Sequence, residues 1–381
     1  MTAEATLGEP QVLHVLEAVG GGTLRHLLDV IAHTPARHEA AVPLRWQGAL
    51  CDVGADAALA AAGAVVHDLP IGHRPPHPAS LVPVLALRRL IRARRPDIVH
   101  GHSAVGGALA RLAAVGTGRP VVYTPNGVVD RQPWVGLERA LTPLTDLVVA
   151  VSESEEAIAR TRMAVRADRL VLVPNGIDLT PPPDLFDLRS HLGLAPDTPL
   201  VGCVARLNHQ KAPEVLAAAA TLLCLRHPDV HVVLIGDGPD EAMVREAAAG
   251  AGDRFHLVDP VPGVSGLLPQ LDVFALTSRF EGGPYTPLEA LRAGVAVVLT
   301  DVVGNRDVVE HGVSGLLVAP DDPAAVADAV AELLADPTRR RAVAAAGTAR
   351  LRARFGVAQM GRATAAAYRP VLERPAKRAS R

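Results

Sequence analysis

The 381-residue sequence has few aromatic residues and almost no lysine. Phe, Trp and Tyr together make up 3% of the chain, whereas 49% is hydrophobic, so we expect cores built from Ala, Val and Leu. Nearly all of its basic residues are Arg, because Lys211 and Lys377 are the only two lysines. Each of these two lysines therefore needs its own explanation. The length exceeds that of one hydrophobic core and predicts two domains.

The low net charge, the few cysteines and the absence of a long hydrophobic run exclude several classes of protein. A formal net charge of −2 gives no overall attraction to nucleic acid or to an anionic membrane, so we expect no nucleic-acid partner and at most peripheral membrane contact. Cys51, Cys203 and Cys224 lack metal-site spacing and are predicted to be reduced core thiols. No apolar run reaches the roughly 18 residues of a membrane span, and the first residues lack the pattern of a signal peptide. We therefore expect a cytoplasmic protein.

Short Val- and Leu-rich segments alternate with helical patterns along the chain, which predicts two doubly wound α/β halves. A Pro-Asn-Gly turn at 174–176 and a proline cluster at 181–183 indicate the boundary between them. We expect an N-terminal Rossmann-like domain at 1–179 and a C-terminal one at 180–356.

Glycine-rich and basic loops follow the first predicted strand of each half. Gly20, Gly21 and Gly22 form one such loop, before a helix expected from Leu24. The other carries Arg206 and Lys211, whose spacing suits a diphosphate. Ligands of doubly wound sheets bind at the C-terminal ends of strands, so both loops are candidate sites. The alternatives are a tight turn that needs glycine in any case and a solvated basic loop.

His100 and His102 lie two residues apart on a predicted strand, so their side chains share one face. Such a pair could begin a metal site, but no third ligand lies nearby at a usable spacing, and we predict no metal. The acidic turn at 237–240 lacks the Asp-x-Asp spacing of a metal-binding motif and fits a helix N-terminus.

The most distinctive stretch is 278–290, in which a glycine-rich loop carries Glu281 and leads to Glu289. The preceding apolar segment, 272–277, is predicted to be a buried strand of a parallel sheet. Glu281 comes after this strand and before two glycines, where an incidental surface carboxylate is not expected. It is therefore a candidate functional carboxylate.

A helix is predicted to follow from Leu288 to Ala293 and to end at Gly294. Thr286 as N-cap and Glu289 three residues later fit a capping box, with a proline between them at the first helical position. On this alternative, Glu289 only starts the helix.

The spacing of Glu281 and Glu289 resembles the Glu-x7-Glu motif of family 4 glycosyltransferases, which are retaining and use nucleotide sugars. The similarity continues over 289–301, 304–307 and 310–318. The resemblance implies an α/β GT-B fold, with two doubly wound Rossmann-like domains facing an interdomain cleft and a C-terminal helix at 357–381 packing back on the first. It also implies a nucleoside-diphosphate sugar donor and a hydroxyl acceptor, with no metal or other cofactor required.

The same resemblance assigns roles to individual residues. The expected catalytic residues are Glu281 and His102, and Glu289 is expected to bind the ribose. The donor diphosphate is expected to contact Arg206, Lys211, Gly21, Gly22, Gly283, Tyr285 and Thr286. The sugar or acceptor is expected to contact Gly20, Gly282 and Asn126. Val105 stands where many polysaccharide-forming relatives carry lysine, which leaves the acceptor class open.

Three other functions are compatible with parts of the pattern. A glycosidase also uses two carboxylates, but it would leave Arg206 and Lys211 without a purpose. A nucleotide-sugar 2-epimerase shares the GT-B architecture, and a non-catalytic nucleotide-sugar binder would not need Glu281. The sugar, the base and the acceptor stay open, the acceptor being a glycan or polysaccharide precursor or a small-molecule natural product.

Overall fold

The computed structural model describes residues 9–44, 52–71, 81–128 and 132–373. The chain forms two compact units, Met1–Gly176 with Val357–Arg381 (unit 1) and Ile177–Gly356 (unit 2). The sequence had placed the first division at 179/180. Cys51 and the tail from 374 onward lie outside the described residues. No helix among the described residues is both long and apolar enough to cross a bilayer.

Unit 1 is built on a parallel sheet with helices between successive strands. Its strands are β1 (Gln11–Val15), β2 (Arg37–Val42), β3 (Ala64–Asp68), β4 (Ile98–His102), β5 (Val121–Thr124), β6 (Leu147–Ala150) and β7 (Leu170–Leu172). The helices between them are α1 (Gly21–His33), α2 (Ala55–Ala61), α3 (Leu81–Arg94), α4 (Ala104–Ala114), α5 (Trp134–Leu141) and α6 (Glu153–Thr161). The strand order β3-β2-β1-β4-β5-β6-β7 reverses between β1 and β4, which is where doubly wound sheets bind ligands.

Unit 2 repeats this plan with six strands. They are β8 (Leu200–Val204), β9 (His231–Ile235), β10 (Phe255–Val258), β11 (Val273–Leu276), β12 (Ala296–Thr300) and β13 (Leu316–Val318). Its helices are α7 (Leu188–His191), α8 (Pro213–Arg226), α9 (Glu241–Ala247), α10 (Tyr285–Arg292), α11 (Asn305–Val308), α12 (Pro323–Ala335) and α13 (Pro337–Arg354). The order β10-β9-β8-β11-β12-β13 places β8 beside β11 at the switch point. The chain thus has the two doubly wound Rossmann-like domains that were predicted.

The last helix, α14 (Val357–Leu372), belongs to unit 1 and packs on α1. Gly361 makes close approach possible, because a Cβ atom there would lie 2.1 Å from the His33 carbonyl oxygen. Further along α14, Tyr368 is buried, and its hydroxyl forms a 2.8 Å hydrogen bond with His100 Nδ1. The end of the chain is therefore part of the sheet packing in unit 1.

Both cores consist mainly of Ala, Val and Leu, as the composition predicts. Few aromatic residues take part, such as Phe274 in unit 2 and Tyr123 in unit 1. Cys203 and Cys224 are buried free thiols, and burial raises the pKa of Cys203 to about 12. A thiol with so high a pKa stays protonated near neutral pH and is inert, which fits a core residue.

Candidate active site

The predicted site residues lie just beyond the C-terminal ends of strands in both units. In unit 2, Arg206 and Lys211 follow β8, and Glu281 follows β11, the neighbouring strand of the sheet. In unit 1, His102 ends β4, and Gly20 follows β1, the strand beside it. Parallel pairing therefore brings residues from distant parts of the sequence to one edge of each sheet.

Glu281 is a buried carboxylate held by two side chains. The residue is 4% exposed, and its Oε1 atom accepts a 2.5 Å hydrogen bond from Lys211 Nζ and a 2.6 Å one from Ser278 Oγ. A buried carboxylate is costly unless a cation and hydrogen bonds compensate its charge. These contacts therefore fix Glu281 at the end of β11.

Further polar residues support this loop, although no sequence pattern indicated them. The Ser278 carbonyl accepts a 2.5 Å hydrogen bond from Thr300 Oγ1, which in turn accepts one from Asn305 Nδ2 at 3.1 Å. Gln210 Nε2 donates to the Phe280 carbonyl at 3.1 Å. Because the first and last of these pairs are 22 and 70 residues apart, a local motif could not have revealed them.

Gly282 connects the carboxylate to the following helix and packs against Gly304. A Cβ atom on Gly304 would lie 2.7 Å from the Gly282 oxygen and 2.9 Å from Glu281 Cβ. Gly304 also has a φ of 83°, which only glycine adopts readily. The segment after β12 therefore needs glycine here to lie against the Glu281 loop.

The Lys211 side chain already has a partner within the protein, whereas the Arg206 side chain has none among the described residues. Asn208 Oδ1 accepts a 3.1 Å hydrogen bond from the Lys211 N–H, which closes a turn, and the ammonium group lies against Glu281. The half-buried Arg206 side chain forms no hydrogen bond or ion pair with any residue that the structure describes. Its guanidinium group is therefore available for an anion, which it can bind through two parallel hydrogen bonds.

Helix α10 begins earlier than predicted, and the capping-box interpretation is wrong. The helix starts at Tyr285 with Pro284 as N-cap and no side-chain cap, so Thr286 and Pro287 lie in its first turn. Proline lacks only an N–H that the first turn leaves unbonded, so Pro287 fits there as well as at the first position. Glu289 lies in the second turn and is half-buried, and it is not the capping partner of Thr286.

The glycines after β1 lie at the start of α1. The helix begins at Gly21, ahead of the predicted Leu24, with Gly20 as its N-cap and Gly22 in its first turn. The Gly21 N–H donates to Asp52 Oδ2 at 3.1 Å, so one of the helix-start donors already has an acceptor. The low helix propensity of glycine is the reason the sequence placed the start too late.

His102 and Asn126 place unpartnered polar atoms near the ends of β4 and β5. His102 is fully buried, and its Nδ1 atom has no hydrogen-bond partner among the described residues. Asn126 has a φ of 55°, and both polar atoms of its amide are buried without a described partner. Because unpaired buried polar atoms are costly, both residues are candidates for ligand contact.

Glu17 is a further polar residue at this edge that the sequence did not indicate. Its carboxylate accepts hydrogen bonds from Ser103 Oγ at 2.7 Å and from the Gly106 N–H at 2.8 Å. Ser103, directly after His102, has a φ of 58°. Glu17 therefore ties the end of β1 to the start of α4 and holds the backbone beside His102.

The structure contradicts the prediction that His100 and His102 have no third ligand beside them. His14 on β1 pairs in register with His100 on β4, and one ring nitrogen from each histidine lies within 4.8 Å of the others. Five of their six ring nitrogens already form hydrogen bonds, two each on His14 and His100 and one on His102. A metal ion would have to replace several of these bonds.

Burial keeps these histidines neutral. It lowers the pKa of His14, His100 and His102 well below the usual range, and nearby imidazoles that would repel a second positive charge add to the effect. Burial also lowers the pKa of His26 to about 4, although a hydrogen bond to Asn175 opposes the shift. Each of these rings therefore carries one N–H near neutral pH.

We expect unit 1 to lose stability as the pH falls below about 6.5, the pKa of histidine in an unfolded chain. Below that pH the unfolded chain binds protons that the folded chain does not. The free energy of unfolding is therefore highest above pH 6.5 and falls as the pH approaches about 4, the pKa of His26 in the folded chain. The slope approaches about 1.4 kcal/mol per pH unit for each such histidine.

Thermal unfolding between about pH 7.5 and 5 measures this slope. His26→Gln should reduce the slope by the contribution of about one bound proton. His33→Gln is the control substitution, because His33 is exposed at the end of the same helix. An equal slope in wild type and His26→Gln would contradict the assignment.

Two family profiles match the chain, one in each unit. Residues 20–181 match Glycosyltransferase Family 4, and residues 186–350 match Glycosyl transferases group 1. Alpha-maltose-1-phosphate synthase of Mycolicibacterium smegmatis is 31% identical over 320 residues, which are 75% of this chain and 82% of the relative. The lipopolysaccharide core biosynthesis mannosyltransferase LpsB of Rhizobium meliloti is 33% identical over 62% of this chain and 69% of its own.

A solved structure has the same fold at low sequence identity. Anabaena HepE in complex with UDP and glucose superposes with a TM-score of 0.81 at 20% identity, covering 95% of this chain and 100% of HepE. The shared fold and the sequence identity to the relatives named above together confirm the resemblance that the Glu-x7-Glu motif indicated. The chain belongs to the group 1 glycosyltransferases of family 4 and has their GT-B fold.

Proposed function

We propose that this glycosyltransferase is a metal-independent, retaining enzyme that moves a sugar from a nucleoside-diphosphate sugar to a hydroxyl acceptor. The observation that carries the proposal is the buried Glu281 carboxylate, paired with Lys211 and lying beyond the strand next to the Arg206 loop. HepE, whose fold this chain shares, has been solved with UDP and with UDP-glucose. UDP-glucose is therefore the first donor to test.

In the proposed reaction, the departing nucleoside diphosphate is stabilised by cations and backbone N–H groups. Lysine has three N–H donors, so Lys211 can keep its bond to Glu281 and still donate to phosphate oxygens. Arg206 adds a two-pronged contact, and the start of α10 adds the positive end of its dipole. The proposed diphosphate contacts are Arg206, Lys211, Gly21, Gly22, Gly283, Tyr285 and Thr286, with Glu289 on the ribose.

Glu281 is proposed to bind a sugar hydroxyl and to stabilise positive charge that develops near the anomeric carbon. Its Oε1 atom accepts hydrogen bonds from both Lys211 and Ser278, which makes that oxygen a weak nucleophile. The proposed mechanism is front-face attack, in which the acceptor oxygen bonds to the anomeric carbon while the phosphate leaves and takes the acceptor proton. The configuration is then retained without a covalent intermediate.

The sugar or the acceptor is proposed to contact His102, Asn126 and Gly20 of unit 1 and Gly282 of unit 2. His102 and Asn126 support this role through their unpartnered buried atoms. At the two glycines the absence of a side chain lets a ligand approach the backbone closely. Relatives named as D-inositol 3-phosphate glycosyltransferase and as a lipopolysaccharide core mannosyltransferase suggest phosphorylated polyols and glycans as the first acceptors to screen. We place the reaction in the cytoplasm, with at most peripheral membrane contact.

A nucleotide-sugar 2-epimerase is the second candidate, because it shares the GT-B architecture. It would convert UDP-glucose to its 2-epimer with no acceptor present, whereas a transferase releases UDP and needs an acceptor for rapid turnover. NMR of the sugar after incubation without acceptor separates the two. Membership of a glycosyltransferase family excludes the glycosidase alternative.

We expect Lys211→Ala to weaken nucleoside-diphosphate binding by about 10- to 150-fold, because it removes a charge-assisted hydrogen bond that contributes about 1.5–3 kcal/mol. A thermal-shift screen with UDP, GDP, dTDP, ADP and their sugars measures this. A ligand at about 100 times its Kd adds about 2.7 kcal/mol to the folded state.

Lys377→Ala, the substitution of the chain's other lysine, is the control and should behave as wild type. Stabilisation of wild type by none of the nucleotides, or equal stabilisation of Lys211→Ala, would argue against the diphosphate site.

We expect Glu281→Gln to reduce turnover by about 100- to 1,000-fold and to leave UDP affinity within a few-fold, because the carboxylate acts mainly in the transition state. UDP release from UDP-glucose, by transfer to water or to an acceptor, gives the rate, and calorimetry gives the affinity. Glu246→Gln, on the exposed face of α9, is the matched control. Equal losses of rate and affinity in Glu281→Gln would mean that the carboxylate only shapes the site.

Removal of divalent cations should leave the rate unchanged, because Arg206, Lys211 and the start of α10 are proposed to stabilise the leaving group. The rate of UDP release is measured in EDTA and again after addition of Mg²⁺ or Mn²⁺. NMR of the first product formed also gives its anomeric configuration, which should match that of the donor. Dependence on added metal, or an inverted product, would refute that part of the proposal.

A further inference from the structure

Three histidines of unit 1 form a continuous hydrogen-bonded chain that ends at His102. His38 Nε2 lies 2.9 Å from the Thr34 carbonyl oxygen, and His38 Nδ1 lies 2.9 Å from His14 Nε2. His14 Nδ1 lies in turn 3.0 Å from His102 Nε2. All four residues are buried, and His102 Nδ1 has no partner among the described residues. The hydrogen-bonded chain thus runs from the Thr34 carbonyl oxygen to His102 Nδ1, which has no described partner.

The chemistry of the first bond sets the direction of every bond in this chain. A carbonyl oxygen only accepts, so His38 must donate from Nε2. Burial lowers the pKa of His38, as it does those of His14 and His102, so each ring is neutral and has a single N–H. His38 Nδ1 must then accept from His14 Nε2, and His14 Nδ1 must accept from His102 Nε2. His102 Nδ1 is left with a lone pair and no proton.

His26 offers a second acceptor beside the first. Its Nδ1 atom lies 2.9 Å from the side-chain oxygen of Asn175, which only accepts, so the ring donates there and keeps a lone pair on Nε2. That Nε2 atom is also buried without a described partner. The ring centroids of His26 and His102 are 5.6 Å apart. The unpartnered nitrogens of these two neutral rings, His102 Nδ1 and His26 Nε2, can therefore accept hydrogen bonds but cannot donate them.

We propose that Thr34, His38 and His14 form a one-way hydrogen-bond chain that fixes His102 in its Nε2–H tautomer, so that His102 Nδ1, with His26 Nε2, accepts hydrogen bonds from hydroxyl groups of the bound ligand. His38 and His14 are then positioning residues that act through His102. The ligand group is an alcohol, as on a sugar. A carboxylate or carbonyl oxygen has lone pairs and no proton to donate, so it would be repelled by these two acceptor nitrogens. The inference rests on the proposed function for the identity of that ligand.

His100 is the matched control within the same cluster. Its ring lies 4.0 Å, centroid to centroid, from that of His102, but its nitrogens bond to the hydroxyls of Tyr368 and Thr124 instead of joining the chain. A hydroxyl can donate or accept, so these bonds impose no direction. Replacing His100 disturbs the cluster without interrupting the chain from Thr34.

The first test is NMR of the full chain labelled with ¹⁵N-histidine and free of ligand, because long-range ¹H–¹⁵N correlations show which ring nitrogen carries the proton. We expect Nε2–H for His38, His14 and His102, and Nδ1–H for His26. In His38→Phe, which keeps a ring of similar size but removes the link to Thr34, His14 and His102 should each show both tautomers. In His100→Phe, His102 should keep its single tautomer.

The second test measures how much the sugar adds to nucleotide affinity. Calorimetry gives the Kd of UDP and of UDP-glucose for wild type, His38→Phe and His100→Phe. We expect His38→Phe to leave the Kd of UDP unchanged and to reduce the preference for UDP-glucose by about 2- to 10-fold, the contribution of one neutral hydrogen bond. A merely structural role for His38 would weaken both ligands equally.

Three results would overturn the inference. They are an Nδ1–H tautomer of His102 in wild type, an unchanged His102 spectrum in His38→Phe, and stoichiometric metal in the purified protein with His14 and His102 as its ligands. The wild-type spectrum needs no variant to fold. It is recorded without ligand, so it determines the bond directions even if UDP-glucose proves to be the wrong donor and the proposed function fails.

Discussion

The ion pair between Lys211 and Glu281 is the contact on which the candidate site of unit 2 depends. Neither charge is stable in a protein interior by itself, and the carboxylate here is almost fully buried. Pairing the two fixes the loop after β8 against the loop after β11, and Ser278 fills a further hydrogen-bonding position on the same oxygen. These contacts hold the two loops together around Glu281, which suits the charge-stabilising role proposed for this carboxylate.

The candidate sites of the two units contain different kinds of buried polar group. At the Glu281 loop of unit 2 a full charge is compensated by an opposite charge, whereas the histidine cluster of unit 1 consists of imidazoles whose burial keeps them neutral. A charged pair suits the proposed stabilisation of the negative charge that grows on a leaving diphosphate. Neutral rings with open acceptor atoms, such as His102, suit the recognition of hydroxyl groups, which carry no charge.

The sequence predicted a buried strand at 272–277, and the structure has β11 at Val273–Leu276, because buried parallel strands are continuous apolar runs. It was less accurate at helix starts. Both α1 and α10 begin earlier than predicted, since Gly21 and Pro287 lie in first turns where their usual penalties are small. Local rules thus misplaced helix starts where glycine or proline occurs.

The sequence by itself determined the fold class, the family and the residues that carry charge at strand ends, because each of these depends on short-range patterns. Only the tertiary structure decided which of those residues meet. Lys211 and Glu281 are 70 residues apart, and His14 and His102 are 88 apart. Their contact depends on β8 pairing with β11 and β1 with β4. Parallel strands are joined by long crossovers, so the neighbour of a strand is set by the packing of the whole sheet, which no local spacing encodes.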